Sequence, residues 1–197
     1  KKLARSSSAP VITYGMPKRR WKLEIAGEHN QLNAEAAWSA ARFLGVSERV
    51  ARAALAHYRG AWRRMEQLST KHMYAYSDYA HHPTEIKATI QAFKELHPQK
   101  KFLVIYQPHQ IERLTKLYKD FTKVFSEADE TWFVPTYQVT GREYAGTKKT
   151  SEDLAAAVRS SRHFSSCEAA FKNLILTTKE NPSRSVVFMG AGDIDAR

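Results

Sequence analysis

Cysteine is almost absent from this chain, whose 197 residues contain only Cys167. A single thiol excludes a disulfide framework within the chain and a metal site made of cysteines alone. No apolar run approaches the roughly 20 residues of a membrane-spanning helix, and no apolar signal segment follows the N-terminus. We therefore expect a cytoplasmic protein without a membrane partner.

Two signatures of phosphate and hydrolase chemistry are also missing. The chain has no G-x-x-x-x-G-K-[ST] phosphate loop and no G-x-S-x-G nucleophile turn. The pair Gly190 and Gly192 lacks the third glycine of a dinucleotide-binding fingerprint. The pair alone indicates either a tight turn or a close backbone approach to a ligand. Cys167 stands where a helix is expected to begin, and we interpret it as a bystander thiol.

Positive charge is abundant: the formal net charge is +11, and residues 1–23 contain several basic side chains and no acidic one. Such a segment suits a nucleic acid, an anionic surface or a phosphate-rich ligand, and it is also typical of a solvated terminus. A basic nucleic-acid-binding module is therefore one hypothesis. The content of 43% hydrophobic and 26% charged residues is that of a folded protein with one large or two small domains.

The periodicity of apolar residues changes near residue 60. Before it, the expected elements are irregular structure over 1–20, a short strand over 21–25, a helix over 31–44, and a second helix capped by Ser47. We expect Leu32, Phe43 and Leu44 of the first helix and Val50 of the second to be buried.

After residue 60, strands and helices alternate. The expected strands cover 73–77, 102–106, 132–134 and 186–189, with helices that begin at Pro83, near Ile111, after Thr150 and near residue 167. The helix near Ile111 is expected to continue to Phe125. This alternation predicts an α/β fold with a mostly parallel sheet.

Polar side chains follow three of the expected strands, within residues 78–85, 107–113 and 189–193. Because the carboxyl ends of parallel strands share one edge of a sheet, we expect these three segments to form the site.

Each candidate also has a structural interpretation. Asp78 suits a ribose hydroxyl or the cap of a local turn. His81 and His82 suit substrate or metal, but Pro83 fixes a helix start and one of the two suits its N-cap. Together with His109 they suggest a zinc hydrolase as a third hypothesis. The pair Arg63–Arg64 suits a phosphate or an exposed helix end.

Five sequence runs, in order, resemble the C-terminal part of the Mur ligase family, and within it the members that act on L-alanine. They are GEHNQLNA at 27–34, RRME at 63–66, DYAHHPTE at 78–85, QPH at 107–109 and MGAGDI at 189–194. The resemblance covers about residues 25–197, and DYAHHPTE is its most specific part.

The resemblance implies an ATP-dependent ligase of peptidoglycan precursor synthesis. Such an enzyme uses ATP and Mg²⁺ to convert the carboxylate of UDP-N-acetylmuramate into an acyl phosphate, which the amine of L-alanine attacks. It implies a Rossmann-like domain at 59–197 with helices on both faces of its sheet. Residues 1–58 would be the helical tail of a central ATPase domain whose other parts carry the magnesium ligands, so the chain alone is expected to be inactive.

The resemblance also implies roles for individual residues. His29, Asn30 and Asn33 would shape the adenine pocket, Arg64 would reach the nucleotide and Asp78 its ribose. The residues that face L-alanine and the acyl phosphate would be His81, His109 and Arg113, with the planar guanidinium suited to a carboxylate.

Two positions depart from the family pattern. Gln110 stands where a second arginine is usual, and Met65 replaces an aromatic residue. The missing arginine keeps open a related activity, the attachment of whole peptides to UDP-N-acetylmuramate in cell-wall recycling. The expected partners are UDP-N-acetylmuramate, L-alanine and ATP, without a nucleic acid, and Tyr79 suggests a possible homodimer contact.

Overall fold

The computed structural model describes residues 8–68, 73–139, 141, 144–180 and 185–194, with only the backbone for 179 and 180. The first part of the basic segment, residues 1–7, lies outside them. The chain divides into two compact units, Lys1–Gly60 and Ala61–Arg197. The boundary expected from the sequence lies two residues earlier, after residue 58. No helix among the described residues is long and apolar enough to cross a membrane.

The first unit contains helices α1 (Glu28–Phe43) and α2 (Glu48–Ala56). Ser47 caps α2, as predicted, by accepting a hydrogen bond from the Val50 amide. Before α1, the expected strand at 21–25 is wrong, because this segment pairs with a side chain instead of a strand. The Gln31 amide both accepts from the Trp21 N–H (2.8 Å) and donates to the Trp21 carbonyl (3.0 Å).

The buried face of the first unit also differs from the expectation. Leu32, Phe43, Leu44 and Val50 are all exposed, with Leu44 exposing 78% of its surface. The buried side chains of α1 and α2 are small or polar, namely Gln31, Ala34 and Ala51. Apolar spacing marks a helix here, but it does not identify the side that is buried within the chain.

The second unit is built on one six-stranded sheet. In chain order its elements are β1 (Glu66–Leu68), β2 (Tyr74–Asp78), α3 (Pro83–Leu96), β3 (Phe102–Tyr106), α4 (Ile111–Lys116), α5 (Tyr118–Phe125), β4 (Glu130–Phe133), α6 (Ser151–Ala157), β5 (Ser161–His163), α7 (Cys167–Glu180) and β6 (Ser185–Met189). The strand order is β1-β2-β6-β3-β4-β5, in which only the β1–β2 pair is antiparallel.

Hydrophobic side chains cover both faces of this sheet. Along β3, Phe102, Val104 and Tyr106 pack into the core on the α3–α6 side, while Leu103 and Ile105 pack into a second core under α7. Every residue of β3 is buried, as expected for a central parallel strand. The α/β fold with a mostly parallel sheet and helices on both faces is confirmed.

Three details of the second unit escaped the sequence pattern. β1 and β5 have three residues each, too few for an alternating pattern to emerge. The single helix expected from Ile111 to Phe125 is wrong. It is broken at Leu117, whose backbone (φ −108°, ψ 19°) ends α4 and begins α5.

Candidate functional site

The carboxyl ends of β2, β3 and β6 lie side by side, as predicted. The Gln107 N–H donates to the Met189 carbonyl (2.9 Å), and the Gly190 N–H donates to the Asp78 carbonyl (3.1 Å). Asp78 and Tyr106 both pair with Met189 in the sheet register. The three polar segments therefore share one edge of the sheet.

Asp78 ends β2 with its side chain almost completely buried. Oδ1 accepts from the Ala80 N–H (2.8 Å) and the Thr89 hydroxyl (3.1 Å), and Oδ2 accepts from the Met65 N–H (2.8 Å). Burial raises the pKa of the Asp78 carboxyl, although these hydrogen bonds and the charge of Arg64 oppose the rise. Asp78 therefore caps a local turn, one of the two roles expected for it. These hydrogen bonds use three of the roughly four acceptor positions of its carboxylate.

The neighbouring arginines have opposite surroundings. Arg63 is buried, and its guanidinium donates to the carbonyls of Gly190 (2.5 Å) and Gly192 (2.9 Å). Arg64 is exposed and lies 5.6 Å from the centre of the Tyr79 ring, to which Arg63 is also close. Arg63 therefore fixes the loop after β6, whereas Arg64 presents its charge to solvent beside the site.

The neighbouring histidines also differ. His82 is the N-cap of α3: its Nδ1 accepts from the Thr84 N–H, and Glu85 completes a capping box with the His82 amide. The structural interpretation is therefore confirmed for His82. His81 directs Nδ1 toward the Tyr79 carbonyl (3.0 Å) and a Glu85 carboxylate oxygen (3.4 Å). Its ring remains partly exposed at the site.

The structure brings together the residues expected to face the amino acid. The His81 and His109 rings meet edge to face with centres 5.8 Å apart, and Arg113 Nη1 lies 3.4 Å from His109 Nδ1. His109 follows β3, and Arg113 lies one turn later on α4, so helical spacing places the guanidinium beside the imidazole. Gln110, between them, takes a positive φ of 67°.

Tyr137 belongs to the same cluster, although it was not among the residues expected from the sequence. Its ring stacks on His109 at 5.7 Å and an interplanar angle of 10°. Backbone hydrogen bonds lock the two segments together, from the Tyr137 N–H to the Pro108 carbonyl (2.8 Å) and from the Gln110 N–H to the Tyr137 carbonyl (3.2 Å). The available signal was position, because Tyr137 follows β4 and so lies at the carboxyl end of another parallel strand.

The two glycines after β6 allow parts of the protein itself to pack closely. A Cβ on Gly190 would lie 2.8 Å from the Gln107 carbonyl oxygen, and Gly190 has a φ of 151°. A Cβ on Gly192 would lie 2.7 Å from the Tyr137 ring and would also collide with the Gln107 amide. Any larger residue at either position would displace Gln107 or Tyr137, which together form one wall of the site.

Cys167 begins α7 near this wall, where the Gln107 Nε2 lies 3.6 Å from its sulfur. Burial, and then the charge of Asp193, raise the pKa of the Cys167 thiol. A raised pKa lowers the thiolate fraction, so Cys167 lacks the environment of a reactive cysteine.

The structure does not support a zinc site among these side chains. Within the described ranges, no three His, Cys, Asp or Glu side chains are grouped as ligands of a metal ion. His82 in particular is used by the cap of α3. The described residues therefore fit neither the zinc-hydrolase hypothesis nor a magnesium site.

The expected adenine residues lie in the first unit, at the beginning of α1. Asn30 Nδ2 donates to the Ala26 carbonyl (2.7 Å), and Asn33 Nδ2 lies 3.4 Å from Asn30 Oδ1. Asn33 is exposed, while His29 and Asn30 are half-buried. Asn30 thus supports the turn before α1, and Asn33 lies exposed beside it.

Comparison with known proteins identifies relatives along nearly the whole chain. UDP-N-acetylmuramate–L-alanine ligase from Lactobacillus acidophilus is 36% identical over 194 residues, which are 98% of this chain and 43% of that protein. The chain thus spans less than half the length of this relative.

Solved structures give the same result for the fold. The UDP-N-acetylmuramate-alanine ligase of Thermotoga maritima matches with a TM-score of 0.70 and 26% identity over 87% of this chain and 36% of that one. A murein peptide ligase from Psychrobacter arcticus matches with a TM-score of 0.59 and 25% identity over the same shares. Residues 63–192 match the family model for the Mur ligase glutamate ligase domain, and the chain therefore belongs to the Mur ligase family.

Proposed function

We propose that this chain is the C-terminal portion of an ATP-dependent ligase that joins L-alanine to UDP-N-acetylmuramate through an acyl phosphate. The reaction belongs to peptidoglycan precursor synthesis, and we propose a cytoplasmic location for it. The identity of 36% over 98% of the chain to a protein named for this reaction supports the proposal. The single structural observation that carries it is the cluster of His81, His109, Arg113 and Tyr137 at the carboxyl end of the sheet.

This cluster suits the binding of an amino acid next to a phosphorylated carboxylate. The Arg113 guanidinium has five N–H donors, of which one points to His109. The others can bind a substrate carboxylate in the planar, paired geometry that arginine favours. We assign Arg113 to the carboxylate of the amino acid, His81 to its amine and His109 to the acyl phosphate.

The surroundings of Asp78 fit a nucleotide ribose. Asp78 Oδ2 accepts one hydrogen bond from within the protein, from the Met65 amide, and a carboxylate oxygen can accept two. A ribose hydroxyl is a suitable second donor. The exposed Arg64 supplies positive charge for the phosphates from the same edge of the sheet.

The remaining parts of the proposal concern the longer protein. We propose His29, Asn30 and Asn33 as adenine-contacting residues, and residues 1–58 as the tail of the central ATPase domain. ATP supplies the phosphoryl group and Mg²⁺ the charge neutralisation, with the magnesium ligands outside this chain. A homodimer through Tyr79 also stays a prediction. Tyr79 is half-buried and already contacts His81 and Arg64.

A second candidate is the ligase that attaches whole peptides to UDP-N-acetylmuramate. The observation in its favour is Gln110, which stands where the family usually has a second arginine. Arg113 is therefore the arginine that lies beside His109 in the cluster. The match to the murein peptide ligase, with a TM-score of 0.59 against 0.70, ranks it second.

The test is phosphate release by the full-length gene product with ATP and UDP-N-acetylmuramate. L-alanine is compared with the peptide L-Ala-γ-D-Glu-diaminopimelate as the second substrate. Release with L-alanine is the expected result. Release with the peptide alone would move the protein to cell-wall recycling, and no release with either would overturn both candidates.

Binding of the carboxylate is tested with Arg113→Ala and the matched variant Arg113→Lys. We expect Arg113→Ala to raise the KM for L-alanine by about tenfold or more, as for the loss of one charged hydrogen bond, with little change in the KM for ATP. Arg113→Lys keeps the positive charge but loses the paired N–H donors of the guanidinium, so its KM for L-alanine should lie between those of wild type and Arg113→Ala. An unchanged KM for L-alanine in Arg113→Ala would remove this residue from the site.

A further inference from the structure

The hydrogen bonds around His81 determine which of its ring nitrogens carries the proton. Nδ1 lies 3.0 Å from the Tyr79 carbonyl oxygen and 3.4 Å from Glu85 Oε2. Both neighbours are acceptors, so Nδ1 must be the donor. The neutral ring therefore has its proton on Nδ1 and its lone pair on Nε2.

The surroundings of His109 impose the opposite arrangement. Its Nδ1 lies 3.4 Å from Arg113 Nη1, and a guanidinium can only donate. Nδ1 of His109 is therefore the acceptor, and the proton of the neutral ring lies on Nε2. Two rings whose centres are 5.8 Å apart are thus held in opposite tautomers, one able to take a proton at Nε2 and the other able to give one.

The amine of an amino acid needs a proton acceptor before it can react. Near neutral pH it is an ammonium ion, which has no lone pair with which to attack a carbonyl carbon. We propose that His81, oriented by Glu85 and by the Tyr79 carbonyl, is the general base that accepts the ammonium proton at Nε2. This inference rests on the proposed ligase function, and it holds for L-alanine and for a peptide alike, since both present an α-ammonium group.

Glu85 and His81 form a carboxylate–histidine pair. The carboxylate is held in place by the His81 and His82 amides, which donate to its Oε2 at 3.1 and 3.2 Å. It fixes the ring orientation and stabilises the imidazolium that forms when Nε2 takes up the proton. The His81 side chain keeps 21% of its surface exposed, so a substrate can reach the ring.

The chemical step balances with this single base. The ammonium gives one proton to His81 Nε2, and the resulting amine attacks the carbonyl carbon of the acyl phosphate. The C–N bond forms, and the bond between the carbonyl carbon and the phosphate oxygen breaks. The second proton of the nitrogen leaves with the phosphate, which departs as hydrogen phosphate, and the third remains on the amide. His81 then returns its proton to solvent.

The test compares two nucleophiles in the full-length gene product. L-alanine needs a base, whereas hydroxylamine is largely uncharged near neutral pH and attacks acyl phosphates without one. His81→Asn is the test variant, since its side-chain amide can still donate to the Tyr79 carbonyl. His82→Asn is the matched control, because asparagine is also a good N-cap for α3.

In His81→Asn we expect the rate of ligation to L-alanine to fall roughly 100-fold or more, the usual contribution of a general base. Hydroxamate formation with hydroxylamine and UDP-N-acetylmuramate should stay within about twofold of wild type, since general-base help is not required. His82→Asn should leave the ratio of the two rates unchanged.

Two results would count against the assignment of His81, and a third would count against the proposed function. Equal loss of both reactions in His81→Asn and also in His81→Gln would show that the residue serves folding or acyl phosphate formation. Full ligation activity in either variant would show that another group takes the proton. A wild-type protein that makes neither product would instead overturn the proposed function itself.

Discussion

The two ends of strand β2 both carry clusters of tyrosine and histidine rings, but the clusters differ in what they leave for a ligand. At the amino end, His97 lies 5.3 Å from the Tyr74 ring and 4.9 Å from the Phe93 ring, and its Nε2 is hydrogen-bonded to the Tyr76 hydroxyl (3.0 Å). At the carboxyl end, His81 is paired through Nδ1 with a carbonyl and a carboxylate, which leaves the Nε2 lone pair for a substrate.

Under the proposed function, the same residue types serve packing at the amino end of β2 and chemistry at its carboxyl end. The amino-end cluster is aromatic, with Tyr76 only 6% exposed. The carboxyl-end cluster is held by charged groups, with Glu85 beside His81, Arg113 beside His109 and Arg63 on the loop after β6. We therefore expect substitutions at the amino end to change stability alone, and those at the carboxyl end to change substrate use.

The largest effect on stability is expected from Arg63, whose guanidinium donates hydrogen bonds to the loop after β6. Arg63→Ala leaves the carbonyls of Gly190 and Gly192 without their donor. An unsatisfied buried group costs about 1–3 kcal/mol, and of these two carbonyls only that of Gly190 accepts in a buried hydrogen bond. We therefore expect the free energy of unfolding of the second unit to fall by roughly 2–3 kcal/mol. Urea unfolding of the purified chain measures this change.

Arg64→Ala is the matched control, because Arg64 is the exposed neighbour. Its effect on unfolding should stay within about 0.5 kcal/mol, as for other surface substitutions. In the full-length enzyme it should raise the KM for ATP. Equal destabilisation by both substitutions would contradict the division of roles between the two arginines.

The next effect concerns Tyr137, whose ring holds His109 by stacking. Tyr137→Ala removes a ring contact worth about 0.5–1.5 kcal/mol, so we expect a KM for L-alanine up to about tenfold higher. Tyr137→Phe keeps the ring and should behave as wild type. Loss of activity in Tyr137→Phe would show that the hydroxyl takes part directly, which the stacking geometry does not require.

Residues at the carboxyl end of the sheet could be predicted from the sequence wherever the end of a strand could be located. Asp78, His81, His109 and Arg113 follow strands with clear apolar runs or lie one helical turn later, and the parallel sheet brings them together. Tyr137 was missed because it lies four residues beyond β4, and its bridge to the His109 segment is a tertiary contact without a local signal.

Neighbouring residues of the same type could be separated only by the structure. The sequence offers Arg63 and Arg64, or His81 and His82, as equivalent pairs. The burial of Arg63 with its hydrogen bonds to the loop after β6, and the capping geometry at His82, decide which member is structural. In the first unit both helices could be located from the sequence, but not their buried faces, because a polar residue, Gln31, is buried and holds Trp21 by two hydrogen bonds.

At the amino end of β2, the role of the cluster is tested by removing the hydrogen bond between Tyr76 and His97. Tyr76→Phe keeps the edge-to-face contact with Phe93 and deletes the hydroxyl. We expect a loss of about 1 kcal/mol in the free energy of unfolding, the usual net value of a hydrogen bond. Kinetic constants of the full-length enzyme should not change, and a changed KM for any substrate would show that the two ends of β2 are coupled.

The smallest expected effect is a pH dependence of stability that comes from His97. Burial, followed by the charge of Lys100, lowers the pKa of the His97 imidazole below its ordinary value of 6.5. The Tyr74 and Phe93 rings and the Tyr76 hydroxyl pack against the same imidazole. As the pH falls below about 7, the unfolded chain takes up a proton on His97 that the folded chain resists. The contribution of neutral His97 to stability is therefore complete above pH 6.5. It is lost as the pH falls through the lower pKa of the folded state.

Urea unfolding at pH 7.5 and 5.5 measures this contribution in wild type and in His97→Gln, whose amide oxygen can still accept from Tyr76. We expect the wild type to lose more stability than the variant between the two pH values. The difference should be below about 1 kcal/mol, because the imidazole is partly exposed and its charge is screened. If the two proteins show the same pH dependence, His97 is not protonated on unfolding in this range, and the lowered pKa assigned to the amino-end cluster is wrong.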